Sequence, residues 1–263
     1  MPRANRHYIP GCIWHITHRC HKKEFLLKFA RDRRRWIGLL YEARKRFGLT
    51  VLNYVVTSNH IHLLVVDDGA PGAIPKSMQL VAGRTGQEYN RRKARKGAFW
   101  EDRYHATAVE SDRHLAQCMV YIDMNMVRAG VVRHPQEWPF GGYHEVLHPR
   151  ERYGIIDWGR LCALLNIQDN ETLKESRNAW IAEALASKNH RREDRWTASI
   201  AVGSKAFVDH TGRLLGISVK RSSKREEEGS FALREPDKSY SIGFGTQIDP
   251  LRGENGYFWK GIG

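Results

Sequence analysis

Apolar positions recur along this chain with two different periods, and the switches between them divide its first half into elements. From Cys12 to Arg19 (CIWHITHR) the period is two, placing Ile13, His15 and Thr17 on one face and Trp14, Ile16 and His18 on the other, which predicts a strand. From Lys28 to Phe47 the spacing becomes helical, with Phe29, Trp36, Leu39, Leu40 and Ala43 three to four apart and Gly48 as the stop. Thr50 to Val66 (TVLNYVVTSNHIHLLVV) is apolar except at Thr57-Ser58-Asn59, so it reads as two strands joined by a tight turn. A loop follows, and Pro75 suits the first turn of a helix running to about Arg92. Tyr104 to Val109 alternates again, and a helix is expected from about Asp112 to Ala129, capped by Ser111 or Asp112 and stopped by Gly130. Strand, helix, two strands, helix, strand, helix is the order of an α+β domain of the ferredoxin-like or split βαβ kind. Such a domain has an antiparallel sheet with helices on one face. It would span residues 6–149.

Beyond it the pattern weakens. Trp158 to Leu165 and Glu171 to Leu185 read as two helices, Ser187 to Arg195 as a polar linker, and residues 196–216 as a short element with Phe207, Leu214 and Leu215 as its apolar contacts. Residues 150–217 are therefore expected to form a helical C-terminal extension. From Ser218 to Gly263 the chain is rich in charge and glycine without a sustained apolar period, which predicts a flexible or lightly docked tail.

Two places along the pattern carry candidate chemistry. On the second strand of the pair, successive side chains point to opposite faces, so His60 and His62 share a face while Ile61 and Leu63 share the other. Two adjacent imidazoles could hold a metal ion, although a His-x-His is more often two polar residues on a sheet face. In the helix after Asp112, Leu115, Met119, Ile122 and Met126 fall within a narrow apolar arc, while Gln117, Tyr121, Asn125 and Arg128 gather opposite. Tyr121 and Asn125 thus stand one turn apart on a polar face, and a tyrosine that merely filled the core would sit among the apolar residues.

Charge narrows the partner. Lys and Arg number 43 against 29 Asp and Glu, a formal net charge of +14 with a pI near 9.8, which favours a polyanion, nucleic acid before an anionic membrane surface. Basic residues cluster at Arg31 to Arg35 and at Arg91-Arg92-Lys93-Ala94-Arg95-Lys96. The second cluster leads into Phe99-Trp100-Glu101-Asp102-Arg103-Tyr104, where aromatics interleave with charge as on a platform for single-stranded nucleic acid, if they are not core. No run reaches the length of a spanning helix and the N-terminal segment has no apolar block, so a soluble, cytoplasmic protein is expected. Cys12, Cys20, Cys118 and Cys162 are too scattered for a zinc knuckle or a disulfide framework. There is no Gly-x-x-x-x-Gly-Lys loop and hence no sign of a nucleotide cofactor.

Ser58-Asn59-His60-Ile61-His62, Phe99-Trp100-Glu101-Asp102-Arg103-Tyr104 and Tyr121-Ile122-Asp123-Met124-Asn125-Met126-Val127-Arg128-Ala129-Gly130, in this order and spacing, resemble the single-tyrosine HUH transposases, in particular the REP-associated tyrosine transposases. The opening Tyr8-Ile9-Pro10-Gly11 and Trp14-His15-Ile16-Thr17 fit as well. The resemblance covers roughly residues 6 to 149. It implies a transposase that nicks and rejoins single-stranded, hairpin-containing DNA, with His60 and His62 binding Mg²⁺ or Mn²⁺, Asn125 in the place of an amide ligand, and Tyr121 as the nucleophile. It also implies a homodimer, because one tyrosine makes one cut per protomer. Arg33, Arg34, Arg91, Arg92, Lys93, Arg95, Lys96, Arg103 and Arg128 are then the candidate DNA contacts. Two departures touch the local backbone and remove no chemical group: Thr57-Ser58 stands where the family has Met-Pro, and Met126 where it has Pro. The competing reading is a DNA-binding regulatory protein of the same fold that does not cleave, with an RNA-binding sheet module a distant third.

Overall fold

The structure is a computed structural model, and it describes residues 9–68, 71–149, 152–187, 192–216, 223–227 and 229–234. Its first elements follow the sequence pattern: β1 (Ile13–Arg19), α1 (Ala30–Phe47), β2 (Thr50–Val56), β3 (His60–Val66), α2 (Ala73–Arg92) and β4 (His105–Val109). Gly48 ends α1 with a φ of 67°, its N–H on the Arg44 carbonyl at 3.0 Å, a left-handed turn that glycine takes without strain and that delivers the chain straight into β2. The strands lie in the order β2-β3-β1-β4 with every neighbour antiparallel, which is the split βαβ arrangement of an α+β ferredoxin-like domain. α1 and α2 pack on each other, and Trp36, Leu39 and Leu40 join Ile16, Ile61 and Leu63 in a single buried core.

The helix expected from Asp112 to Ala129 is two helices. α3 (Arg113–Asp123) stops at Met124, with φ −73° and ψ 0°, and α4 (Asn125–Arg128) follows. The Arg128 guanidinium donates to the Tyr121 carbonyl at 2.6 Å, taking the acceptor that the Asn125 N–H would use in an unbroken helix. Asp112 occupies the cap position at a φ of 55° without a side-chain cap hydrogen bond.

The remaining α-helices and strands among the described residues are α5 (Gly142–Leu147), α6 (Trp158–Leu165), α7 (Asn170–Ala186), α8 (Arg195–Ala198), β5 (Ala201–Gly203), α9 (Lys205–Leu214), β6 (Ser223–Glu227) and β7 (Ser230–Leu233). They hold the ferredoxin-like sheet from both edges. On the β2 side, Ile156 bridges Val51, and the Asp157 N–H donates to the Val51 carbonyl at 2.8 Å. On the β4 side, β5 pairs in parallel with β4, β7 pairs with β5 and β6 with β7, so among the described residues the sheet has seven strands. Part of the segment expected as a flexible or lightly docked tail is thus docked on the sheet as strands. Ser223–Glu227 and Ser230–Leu233 are strands, and Ala232 and Leu233 are wholly buried. A four-residue strand is too short to show a period, and it is held by the exposed edge it completes. Residues 218–222, 228 and 235–263, the rest of that tail, lie outside the described residues. Among the described residues no helix is long and apolar enough to cross a membrane.

Candidate functional site

The register of β1 against β3 sets Thr17 opposite His62 and His15 opposite Leu64, while β4 sets Thr107 opposite His15. One sheet face therefore carries His15, His60 and His62 together. α3 brings Tyr121 over this face, its ring 5.8 Å from that of His62 and 6.1 Å from that of His15, and the break after Asp123 turns Asn125 onto His62. The four residues singled out in the sequence, His60, His62, Tyr121 and Asn125, line one cleft of about 580 Å³ together with Thr17, Arg19, Arg103, Arg128 and Arg192.

Hydrogen bonding fixes which ring nitrogens carry protons. His60 Nδ1 lies 2.7 Å from Asn59 Oδ1, which can only accept, and 3.0 Å from the Thr57 hydroxyl, whose proton goes to the His60 carbonyl at 2.8 Å. Nδ1 of His60 must therefore donate, leaving Nε2 with a bare lone pair. At His62 the Nε2 atom accepts from the Asn125 amide at 3.0 Å. Burial pushes the His60 imidazole down to about 4 and that of His62 well below its usual range, and the cations Arg19, Arg192 and Arg128 add to the effect on His60. Both rings are thus held neutral, as metal ligation requires. Among the described residues no three His, Cys, Asp or Glu side chains are grouped to hold a metal. The donor set that fits is two imidazole nitrogens with the Asn125 amide, whose oxygen faces His62 once the amide is turned over.

Tyr121 is 4 % exposed, and burial raises its hydroxyl above the usual value, opposed by Arg128 and Arg192. The Arg128 guanidinium sits 4.2 Å over the Tyr121 ring. On its other side Tyr121 lines a second cleft of about 660 Å³ between α3 and α7, where Arg113, Arg128, Trp180 and Arg195 also lie.

The remaining basic candidates divide. Arg103 and Arg128 line the first cleft, whereas Arg34, Arg91, Arg92, Lys93 and Lys96 lie on the exposed surface away from it. Arg33 corrects the expectation of a phosphate contact. It is buried, it donates to the Leu27 and Lys28 carbonyls at 2.9 and 2.8 Å, and it lies over the Trp138 and Phe140 rings. Arg92 pairs with Asp32, and Arg95 braces its own loop through the Ala98 carbonyl at 2.9 Å. The aromatic run is core rather than platform, because Phe99 and Tyr104 are buried and Trp100 donates to the Ala82 carbonyl while stacking on His18 at 4.1 Å. The sequence reading passed over His15, Arg192 and Trp196. His15 was visible on the β1 face, but no spacing rule links it to Trp196, which lies 181 residues away.

Comparison with known proteins gives three results. No curated protein matches the chain. Among solved structures, one described as a REP-associated tyrosine transposase bound to a REP hairpin is similar at 17% identity, covering 60% of this chain and 94% of that one with a TM-score of 0.48. Another, a putative transposase from Deinococcus radiodurans, is similar at 19% identity, covering 46% of this chain and 96% of that one with a TM-score of 0.32. The model of the family "Transposase IS200 like" matches residues 8–125, the stretch that carries β1, β3 and α3 with their histidines and tyrosine. Over that segment the chain is similar to the IS200-like transposases.

Proposed function

We propose that this protein is a cytoplasmic, metal-dependent DNA transposase that nicks and rejoins single-stranded, hairpin-containing DNA through a covalent 5′-phosphotyrosine. One observation carries the reading: Tyr121, the Asn125 amide and two imidazoles with bare Nε2 atoms converge in one cleft beside Arg19, Arg128 and Arg192. A regulatory protein that only bound DNA would have no use for two proton-free imidazole nitrogens in the same cleft as a tyrosine.

His60, His62 and Asn125 would hold Mg²⁺ or Mn²⁺, which when bound supplies charge stabilisation at the scissile phosphate. The chain's own residues do the rest. Arg19, Arg128 and Arg192 attract the phosphodiester and offset the charge that builds on its oxygens during attack. The Tyr121 hydroxyl oxygen forms a bond to phosphorus as the bond to the 3′ oxygen breaks. The 3′ oxygen ends with a proton and the tyrosyl oxygen without one, so the exchange is balanced without water or nucleotide. Because the energy of the bond is kept in the phosphotyrosine, the released 3′-hydroxyl can reverse the step on another strand. The two clefts that meet at Tyr121 and Arg128 give the strand a path on either side of the cut.

The hairpin comes from the resemblance to the REP-associated branch, and the exposed Arg34, Arg91 and Lys96 are the surface we propose for its backbone. One tyrosine per chain makes coupled cutting of two ends a task for a homodimer.

The test is a denaturing gel of protein incubated with labelled single-stranded hairpins and Mn²⁺ or Mg²⁺. Wild type should run as a covalent adduct, whereas Tyr121→Phe and His60→Ala should give none while still binding DNA. Binding without any adduct by the wild type would establish the regulatory reading instead.

A further inference from the structure

His15 takes no part in the chemistry assigned above, yet it is wholly buried against His62. Its Nδ1 lies 2.9 Å from the main-chain carbonyl of Trp196, and its Nε2 lies 2.8 Å from His62 Nδ1. The two rings stack with centroids 5.0 Å apart and planes 14° from parallel. A carbonyl can only accept, so His15 Nδ1 carries the proton that bonds it. One proton lies between the two facing ring nitrogens, and because His62 Nε2 faces the Asn125 amide N–H, His62 carries its proton on Nδ1 and donates it to His15 Nε2. His62 Nε2 is then proton-free, the state in which it accepts from the Asn125 amide. Each of the three contacts has one donor and one acceptor only in this sense.

We infer that His15 is a positioning residue that fixes the tautomer and ring orientation of His62 for a divalent cation, with the Trp196 carbonyl as the terminal acceptor. The inference rests on the metal reading of the preceding subsection for its purpose, but the tautomer it assigns does not. Ligand histidines commonly bond a carboxylate or carbonyl through the ring nitrogen that faces away from the metal. Here a second imidazole stands in that place, and the oxygen comes from α8, outside the residues that match the family model. A neutral imidazole is a weaker acceptor than a carboxylate, so His62 would donate less charge to the cation it holds than a carboxylate-backed histidine does. The Thr107 hydroxyl supports the acceptor end, reaching the Trp196 carbonyl at 3.2 Å and that of Ser199 at 2.7 Å.

The experiment uses the full chain labelled with ¹⁵N-histidine and free of metal. Long-range ¹H–¹⁵N correlation spectra separate a protonated ring nitrogen from a bare one, and His62 is expected with its proton on Nδ1. In His15→Leu the His62 tautomers should mix, and Mn²⁺ affinity, read from free Mn²⁺ by electron paramagnetic resonance, should fall about 10- to 100-fold. His15→Gln, whose amide can accept from His62 and donate to Trp196, should restore most of both. A wild-type His62 protonated on Nε2 overturns the relay, with no variant needed. So does a folded His15→Leu with unchanged tautomer and affinity. Wild type with the expected tautomer but no Mn²⁺ binding upholds the relay and overturns the metal reading instead.

Discussion

Replacing Arg177 by Met should destabilise the protein by about 3–5 kcal/mol, the cost of stranding one partner of a buried ion pair. Arg177 on α7 and Asp123 on α3 have side chains that are 0% and 1% exposed. The guanidinium donates to the two Asp123 oxygens at 2.9 and 2.7 Å and to Asn53 Oδ1 at 2.9 Å, while the Asn53 amide donates to Asp123 at 3.0 Å. Without Arg177 the carboxylate keeps only Asn53. Desolvation already raises Asp123 above the usual carboxylate value, with Arg177 opposing it, so the variant raises it further. A carboxyl whose folded value lies above its unfolded one contributes stability at low pH and loses it as pH rises. The deficit of Arg177→Met should therefore be largest at neutral pH and shrink as pH falls towards 5. The assay is urea unfolding of wild type, Arg177→Met, Asp123→Asn and the double variant, each at two pH values. The double variant should recover part of the loss, since no charge is then stranded, giving a coupling of about 0.5–3 kcal/mol. A loss below about 1 kcal/mol for Arg177→Met, or a deficit that grows on acidification, would refute the reasoning.

Acid should weaken the metal-free wild type well before its carboxylates protonate. The folded values of His15 and His60 fall to about 3 and about 4 from 6.5, so the unfolded chain takes up protons first and stability drops below that value. Each imidazole contributes up to about 1 kcal/mol by a pH of about 5.5, and an unchanged urea midpoint between neutral pH and that point would contradict the burial argument. Removing residues 218–263 strips β6 and β7 from β5 and exposes the faces that cover Ala232 and Leu233, and it should cost about 2–4 kcal/mol in thermal unfolding. An unshifted transition would show that the added strands contribute nothing. Arg128→Lys loses both the planar stack on Tyr121 and the bond to its carbonyl, and should slow adduct formation at least tenfold in a folded protein, as followed by gel and circular dichroism. Wild-type rates would remove Arg128 from the site.

Much of the ferredoxin-like sheet was legible because its strands and helices are long enough to show a period. β1, β2 and β3 each run seven residues and α1 eighteen, and each needs only its own apolar spacing to be recognised. The pairing of His60 with His62 follows from the two-residue repeat of any strand. The break at Met124 was hidden because it depends on a side chain four residues ahead capturing a carbonyl three residues behind. Arg33 was misjudged because a guanidinium stacked on Trp138 and Phe140 has the same local sequence signature as one facing solvent. Composition counts charges without showing where they are spent.

The extension escaped a sequence reading for a different reason, and that reason bears on how the site works. Its anchoring contacts are single residues meeting partners far along the chain: Arg177 meets Asp123 across 54 positions, and the Trp196 carbonyl meets His15 across 181. Neither contact belongs to a periodic face. Yet Asp123 is two residues after Tyr121, and His15 holds His62, so both contacts end next to the groups proposed to react. The match to the family model stops at residue 125, but the cleft does not, since Arg192 and Thr197 line it and the Trp196 ring lies 6.2 Å from that of Tyr121. A segment that only decorated the fold could be exchanged without consequence for the tyrosine. One that neutralises the carboxylate on the tyrosine's own helix, and terminates the hydrogen-bond chain from His62, sets the height of Tyr121 over the histidines. Arg177, Arg192, Trp196 and Thr197 therefore belong to the site as much as to the surface, and changes at them should alter the proposed cleavage before they alter DNA binding.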